Sequence, residues 1–464
     1  MTETSLKFGT SGLRGLALEL QGQAARRYTA AFLRHVGAAN GGKVYLGRDF
    51  RASSAAIQAD CAVAIVQAGL EPIDCGHIPT PALALHAMAA GCAAIMITGS
   101  HIPSDRNGLK FYLPSGEISK ADEAGILAAL RDELVPDTDT SQRDEADAAA
   151  ERYFERFATL LPEAALGGLT IGVFEHSTVA RDLLVRILER AGAKVVRLAR
   201  RDDFVAVDTE AFGDAVFAPL SGWIAEHKLD AIVSADGDGD RPLLMDRNGA
   251  FVRGDVLGLL AAQYLGAGTV VTPVTSNSAI ERTGYFQTVL RTKVGSPYVV
   301  AAMESARGAV VGFEANGGTF VGHGVSVRGE PLSALPTRDA VLPVLCALGL
   351  AAAQGKTLDQ IVAALPLQHA LADRLQDVAS AKSAAFLGQL QNEPGYAEAF
   401  FGTHGIAGLA TIDGLQYRTA SGDMVHFRAS GNAPELRVYV EGSTAETAQE
   451  LLTWAMGATA EAIA

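Results

Sequence analysis

Residues 93–112 read AAIMITGSHIPSDRNGLKFY. Ala93 to Thr98 is a short apolar run rich in branched side chains and bounded by Gly91 and Gly99, the pattern of a strand buried in a parallel sheet. Gly99-Ser100-His101-Ile102-Pro103 then breaks the run at the carboxyl end of that strand, where open α/β sheets place their ligands. Asp105, Asn107 and Gly108 mark a second turn, and Leu109 to Leu113 a returning strand that carries Lys110. A serine is thus displayed on a tight loop with an imidazole beside it and an ammonium close behind. Supporting a turn is the ordinary task of Ser in a Gly-Ser pair, so a catalytic reading depends on what the rest of the chain offers.

Working outward, the strand belongs to a unit that recurs. KVYLGRD (Lys43 to Asp49) leads into a helical run from Ser53 to Gln67, a Gly69 stop and the strand PIDCG; LTIGVFEHS (Leu169 to Ser177) leads into Val179 to Arg190, Gly192 and KVVRLA; TVVTPVTSN (Thr269 to Asn277) leads into Ser278 to Arg282, Gly284 and QTVLRT. Each is a βαβ unit with a right-handed crossover and a glycine C-cap. Each is followed by an apolar strand ending in an unusual loop: AAIMIT before Ser100, DAIVSA before Asp236, AVVGF before Glu314. Three copies with three chemistries at equivalent loops predict three similar α/β domains around one cleft. Acid-rich residues 137–150, followed by a helix over Glu151–Leu161, set the first boundary. Val252-Arg253-Gly254-Asp255, opening a helix from Val256 to Leu265, sets the second. Beyond about Leu365 the pattern changes to antiparallel strands (Gly414 to Tyr417, Met424 to Arg428, Leu436 to Glu441) and a final helix from Ala445 to Ala458, a smaller mixed α+β domain. The expected domains are 1–150, 151–254, 255–367 and 368–464.

The 464 residues are 48% hydrophobic and 19% charged, enough for several cores, and the net charge of −14 argues against nucleic-acid or anionic-membrane partners. Cys61, Cys75, Cys92 and Cys346 lie in apolar surroundings without Cys-x-x-Cys spacing and read as buried reduced thiols of a cytoplasmic protein. The longest apolar stretch, Ala340 to Ala353, contains Pro343 and Gly349 and reads as a buried helix rather than a membrane span. An acidic protein with an anionic substrate must gather its positive charge locally, which draws attention to Arg and Lys in turns.

Asp236, Asp238 and Asp240 alternate with glycine, and three such carboxylates converge only around a cation. Oxygen-only ligands favour Mg²⁺, Mn²⁺ or Ca²⁺. An EF-hand is excluded, because its sixth and twelfth positions hold Arg241 and Arg247 and a strand precedes the loop. A phosphate esterified to Ser100 would complete such a site. Arg428-Ala-Ser430-Gly431-Asn432-Ala-Pro-Glu-Leu-Arg437 offers guanidinium, hydroxyl, amide and backbone N–H groups that can wrap a dianion. Glu314 and Asn316 lie in a glycine-rich turn, where a carboxylate can accept hydrogen bonds from sugar hydroxyls. Phe8 to Gly15 puts Arg14 on another glycine-rich turn.

Five stretches in order, FGTSGLRG, TGSHIPSDRNGLKFY, DGDGDRPLL, EANGG and RASGNAPELRVYVEG, make the chain resemble the α-D-phosphohexomutase superfamily, which includes phosphomannomutases and phosphoglucomutases. The resemblance covers essentially the whole length. It implies three α/β domains and a fourth related to the TATA-binding-protein-like group, arranged around a central cleft. It implies Ser100 as phosphoserine and metal ligand; Asp236, Asp238 and Asp240 as ligands of one Mg²⁺; and Arg14, His101, Lys110 and Arg241 as the groups handling the phosphoryl group or its proton. Glu314 and Asn316 fall in the sugar loop, and Arg428, Ser430, Gly431, Asn432 and Arg437 in the loop gripping the non-reacting phosphate. Thr275 and Ser296 stand where some members carry Lys and His, and Ser430-Gly431-Asn432-Ala433-Pro434 where Ser-Gly-Thr-Glu-Pro is common; these departures bear on the sugar.

The expected reaction interconverts mannose 6-phosphate and mannose 1-phosphate through phosphoserine 100 and a hexose 1,6-bisphosphate, which also serves as activator. A glucose phosphate or dual-specificity mutase is the alternative, ahead of a glucosamine phosphate mutase. A lysine base at residue 110 requires a lowered pKa, which His101 needs less, and the base stays unassigned. A non-catalytic sugar-phosphate sensor and a metal-dependent phosphatase are readings of other classes. The protein is expected to be a monomer or weak homo-oligomer.

Overall fold

The structure, a computed structural model, describes residues 4–9, 12–37, 41–430 and 434–463. The chain divides into two compact units, Met1–Val271 with Tyr285–Thr288 and Gly295–Ala364, and Thr272–Gly284 with Val289–Val294 and Leu365–Ala464.

In the first unit, β1 (Lys7–Phe8), β2 (Leu13–Leu16), β3 (Lys43–Arg48), β4 (Glu71–His77), β5 (Ala93–Ile97), β6 (Arg106–Leu113), β7 (Gly116–Glu117) and β8 (Arg143–Asp144) form one sheet in the order β1-β2-β6-β5-β3-β4-β8, with β7 beside β6. β3 runs parallel to β4 and β5, and helices Ser54–Gln67 and Thr80–Ala89 make the crossovers. β5 is buried along its whole length, as its unbroken apolar run requires. Ile57, Ile65, Ile95, Ile97 and Phe111 are among the fully or nearly fully buried side chains that join sheet to helices, each contributing about 1.5–3 kcal/mol. β6 returns antiparallel, and its register sets Lys110 opposite Met96, which brings the ammonium back toward the loop that follows β5.

The plan repeats. β9 (Thr170–Phe174), β10 (Lys194–Leu198), β11 (Ala231–Ala235) and β12 (Pro242–Asp246) stand in the order β10-β9-β11-β12, with β10 and β11 parallel to β9 and β12 antiparallel to β11. Further on come β13 (Thr269–Pro273), β14 (Thr288–Thr292), β15 (Val310–Phe313), β16 (Thr319–Val321), the hairpin β17 (Ser326–Val327) and β18 (Glu330–Pro331), and β19 (Leu335–Asp339). β15 is parallel to β13, β16 antiparallel to β15, and β19 antiparallel to β16. In all three copies a buried parallel strand, a polar turn and an antiparallel return follow one another: β5–β6, β11–β12 and β15–β16. The apolar stretch near residue 345 is a helix, Val341–Ala353, buried almost throughout. All four cysteines are buried and unpaired.

The second unit's sheet is antiparallel, in the order β20 (His369–Leu375), β24 (Leu436–Gly442), β23 (Met424–Ala429), β22 (Leu415–Arg418), β21 (Gly408–Ala410), and packs with helices Ser380–Asn392, Tyr396–Phe401 and Ala445–Ile463 around Phe386, Phe401, Tyr417 and Phe427. No described helix is long and apolar enough to cross a membrane.

Two helix expectations shift. The helix expected over Glu151–Leu161 spans Ala146–Arg156, because the Asp144 carboxylate accepts from the Ala146 N–H at 2.9 Å and starts it within the acidic stretch. The helix expected from Val179 starts at Arg181: the Thr178 hydroxyl and Val179 N–H donate instead to the Asp236 and Gly237 carbonyls.

Candidate functional site

Ser100 has φ +53°, the left-handed region that costs a β-carbon-bearing residue about 1–2 kcal/mol. Its N–H donates to Thr98 Oγ1 at 2.7 Å. Beneath the loop, buried Arg51 uses every donor of its guanidinium: Nε to Asp49, Nη1 to the carbonyls of Pro103 and Arg106, Nη2 to those of Ser100 and Ile102. Gly99 makes room for it, since a Cβ there would lie 2.6 Å from the guanidinium carbon. Phe204 covers the guanidinium, its ring centroid 4.0 Å from Cζ.

The Ser100 hydroxyl donates to Asp236 Oδ2 at 2.5 Å, so two loops 136 residues apart meet at this bond. Gly237 permits the approach, because a Cβ there would lie 3.0 Å from the Ser100 carbonyl oxygen. Asp236, Asp238 and Asp240 are fully buried, and one oxygen from each lies within 4.8 Å of the others. Asp236 is held at both oxygens, whereas Asp238 and Asp240 are each held at one. Asp236 Oδ1 accepts from the N–H groups of Asp240 and Arg241. Asp238 Oδ2 accepts from Thr80 Oγ1 at 2.6 Å and from Lys110. Asp240 Oδ2 accepts from Lys110 and from Arg338 Nε at 3.0 Å, and Arg338 Nη2 completes the ion pair at 2.9 Å. Asp238 Oδ1 and Asp240 Oδ1 are buried without a hydrogen-bond partner. Hard oxygens left over at this spacing fit a divalent cation.

Charge follows from this packing. Burial and then Asp238 and Asp240 push the Asp236 carboxyl well above its usual range, while Arg338, Lys110 and Arg241 overcome burial at Asp240 and hold it low. Burial opposes the charge of Lys110, but Asp238 and Asp240 outweigh it and raise its pKa. Two carboxylates face the ammonium, and Arg338 acts in the opposite sense. His101 Nδ1 lies 3.2 Å from Ser100 Oγ; desolvation and then Arg241 and Arg14 drive its pKa to about 2, so the ring is neutral. Half-buried Arg14, on β2, is pulled down to about 10 by burial and then by Arg241. Arg241 reaches Glu210 at 3.3 Å.

The first unit thus brings together Ser100, His101, Lys110 and the three aspartates, with Arg14 and Arg241 in electrostatic reach. Glu314 joins them indirectly: buried, its Oε2 accepts from Arg338 Nη1 at 2.9 Å. Asn316 Oδ1 accepts from the Gly318 N–H and braces its own turn. The glycines of that turn serve packing, as a Cβ on Gly317 would lie 2.6 Å from Pro242 and one on Gly318 2.5 Å from the Arg338 side chain. In the second unit, Arg428 Nε donates to Asp413 at 2.7 Å, the Ser430 N–H to the Glu435 carbonyl, and Arg437 Nη2 to the Glu435 carboxylate at 3.3 Å. Gly431 and Asn432 lie outside the described residues. Sequence reading passed over Arg51, Thr80 and Arg338. Arg51 carries a signal, since it follows the first strand of a repeat in the turn Asp49-Phe50-Arg51; Arg338 carries only that of an Arg-Asp pair just before a buried helix.

A strained serine bonded into a buried carboxylate trio, with cations gathered locally in an acidic protein, is equipment for phosphoryl transfer on a repeated α/β scaffold. The chain matches, in order, phosphoglucomutase/phosphomannomutase alpha/beta/alpha domain I over residues 5–135, domain II over 151–249, domain III over 253–368 and the C-terminal domain over 370–453. A phosphomannomutase of Sinorhizobium fredii (strain NBRC 101917 / NGR234) is 48% identical over 461 residues, covering 96% of this chain and 97% of the relative. One from Salmonella muenchen is 40% identical over 97% of this chain and 94% of its own. The crystal structure of a phosphoglucomutase/phosphomannomutase family protein from Burkholderia thailandensis shares the fold, with a TM-score of 0.78 at 20% identity over 98% of this chain and 97% of that one. The chain belongs to the phosphoglucomutase/phosphomannomutase family of the α-D-phosphohexomutase superfamily, and is a phosphohexomutase, an isomerase.

Proposed function

We propose that this phosphohexomutase interconverts mannose 6-phosphate and mannose 1-phosphate, with Ser100 carrying the phosphoryl group. The bond from Ser100 Oγ to Asp236 Oδ2 is the observation that carries the reading. A free hydroxyl of the bound monophosphate attacks the phosphorus of phosphoserine 100. The bond from phosphorus to Ser100 Oγ breaks, and the hydroxyl proton passes to a base of the cleft. The resulting 1,6-bisphosphate reorients and returns its other phosphoryl group to Ser100. Exogenous bisphosphate recharges any dephosphorylated enzyme and so activates it.

Asp236, Asp238 and Asp240, with the serine oxygen, would hold one Mg²⁺, whose charge stabilises the phosphoryl oxygens when it is bound. Arg14 and Arg241 share that charge with guanidinium donors. The base stays unassigned between His101, 3.2 Å from Oγ but with its pKa driven to about 2, and Lys110, hydrogen-bonded to two of the carboxylates that would hold the cation. Glu314 accepts from a sugar hydroxyl, with Asn316 shaping its turn. Arg428, Ser430, Gly431, Asn432 and Arg437 grip the phosphate that does not react. The four domains are 1–150, 151–254, 255–367 and 368–464, and the enzyme works in the cytoplasm as a monomer or weak homo-oligomer.

Mannose is preferred because the relatives at 48% and 40% identity both carry the name phosphomannomutase. Coupled assays offering mannose, glucose and glucosamine 1-phosphates in parallel test this. The highest kcat/KM is expected for mannose 1-phosphate; a higher value for either other sugar would reassign the substrate.

A further inference from the structure

Arg338 lies one residue from the end of β19, has 2% of its surface exposed, and touches two loops that belong to different sheets. Nε donates to Asp240 in the turn after β11, with Nη2 in the same ion pair, and Nη1 donates to Glu314 in the turn after β15. A buried guanidinium between two carboxylates is tolerated because both its charge and its fork are satisfied. The Glu314 turn is shaped around it, since any side chain at Gly318 would overlap the arginine stem. Among the described residues, Arg338 is the only side chain that hydrogen-bonds the Glu314 carboxylate, so Oε1 is left to accept from a ligand.

We propose that Arg338 is a positioning residue that aims Glu314 at the sugar while it neutralises Asp240, so that one rigid guanidinium sets both sugar selection and the phosphoryl centre. The proposal rests on the reading of Glu314 as a sugar contact. A planar fork fixes the angle between its two carboxylates, whereas an ammonium at the same place is a point charge with no such constraint. Arg338→Lys therefore preserves the charge beside Asp240 and releases Glu314. Arg338→Met would leave two buried carboxylates less compensated and endanger folding, so the lysine variant carries the test.

Wild type, Arg338→Lys, Glu314→Gln and the double variant of the full chain are compared by kcat/KM for mannose 1-phosphate and glucose 1-phosphate, and by the rate at which hexose 1,6-bisphosphate phosphorylates the protein. Each single change is expected to lower the mannose-to-glucose ratio by about 10-fold. The double variant should fall no further than the worse single, because both act through one contact. Phosphorylation by bisphosphate should fall no further in Arg338→Lys than in Glu314→Gln, since both lose the same sugar contact and the charge at Asp240 is kept. If Glu314→Gln leaves the ratio unchanged, the sugar-contact reading itself fails and takes the proposal with it. If Glu314→Gln shifts the ratio but Arg338→Lys does not, or the two losses multiply, only the positioning role of Arg338 is overturned. A phosphorylation rate that falls far further in Arg338→Lys than in Glu314→Gln overturns it as well, by placing the residue's effect at the phosphoryl centre.

Discussion

The serine–aspartate centre and the Arg428–Arg437 turn, proposed to take the reacting and the non-reacting phosphate, hold their cations in opposite ways. At the centre, Lys110 and Arg338 are buried and each is shared between two carboxylates, while Arg51 spends all its donors on the serine loop. In the C-terminal turn, Arg428 pairs with Asp413 and Arg437 with Glu435, and their side chains stay 14% and 37% exposed. A pre-assembled site fixes geometry before the substrate arrives, so damage there lowers the rate of the chemical step. A partly solvated arginine can exchange a carboxylate for a phosphate, so damage there weakens binding in every state of the cycle.

The contrast is sharpest at Ser100. Ser100→Ala should lose mutase turnover by about 10⁴-fold or more in a coupled assay while still binding sugar phosphate, because it removes the phosphoryl carrier itself; wild-type turnover would remove Ser100 from the mechanism. Arg51→Lys comes next. It keeps a charge beside Asp49 but cannot supply the guanidinium's spread of donors, so the serine loop relaxes and kcat should fall about 100-fold with KM little changed. An altered KM at constant kcat would mean that the loop does not depend on this scaffold. In the C-terminal turn, Arg428→Lys should raise KM about 10-fold and leave kcat within about 2-fold. The reverse pattern in steady-state kinetics would erase the distinction between the regions.

The last prediction concerns stability rather than rate, in the frame beneath the aspartate loop. Buried His176 hydrogen-bonds the Ala235 carbonyl through Nε2 at 2.9 Å, and burial lowers its pKa to about 4. The folded protein resists a proton that the unfolded chain accepts near pH 6.5. This contribution is therefore intact above that pH and lost as pH falls through about 4. Denaturant titrations should show wild type losing up to about 3 kcal/mol more than His176→Gln between pH 7 and pH 4. Parallel profiles would show that the ring does not resist protonation.

Much of this was legible in the chain. The repeated strands and their polar turns follow from apolar runs and glycine stops, and the Asp236-Asp238-Asp240 spacing announces a cluster that needs positive charge, part of which Lys110 and Arg338 supply. Other parts could not be read. β20 is an edge strand whose mostly exposed HALADRL shows no alternation to betray it. Nor does the sequence say why Gly317 and Gly318 stand in the Glu314 turn: they are clearance for Pro242 and Arg338, neighbours that only the fold supplies. Lys110 was weighed as a base lowered by nearby cations, whereas its register beside β5 delivers it to two aspartates. Long-range partners of this kind are set by topology, which local pattern does not encode.

The central claim is that Ser100 accepts and gives up the phosphoryl group beside the aspartate trio. Intact-mass spectra of wild type and Ser100→Ala after incubation with Mg²⁺ and hexose 1,6-bisphosphate, followed by peptide mapping, test it most directly. The account predicts one added phosphoryl group on wild type, located at Ser100, discharged by hexose monophosphate, and absent from the variant. A phosphoryl group on another residue, or equal labelling of the variant, would contradict it.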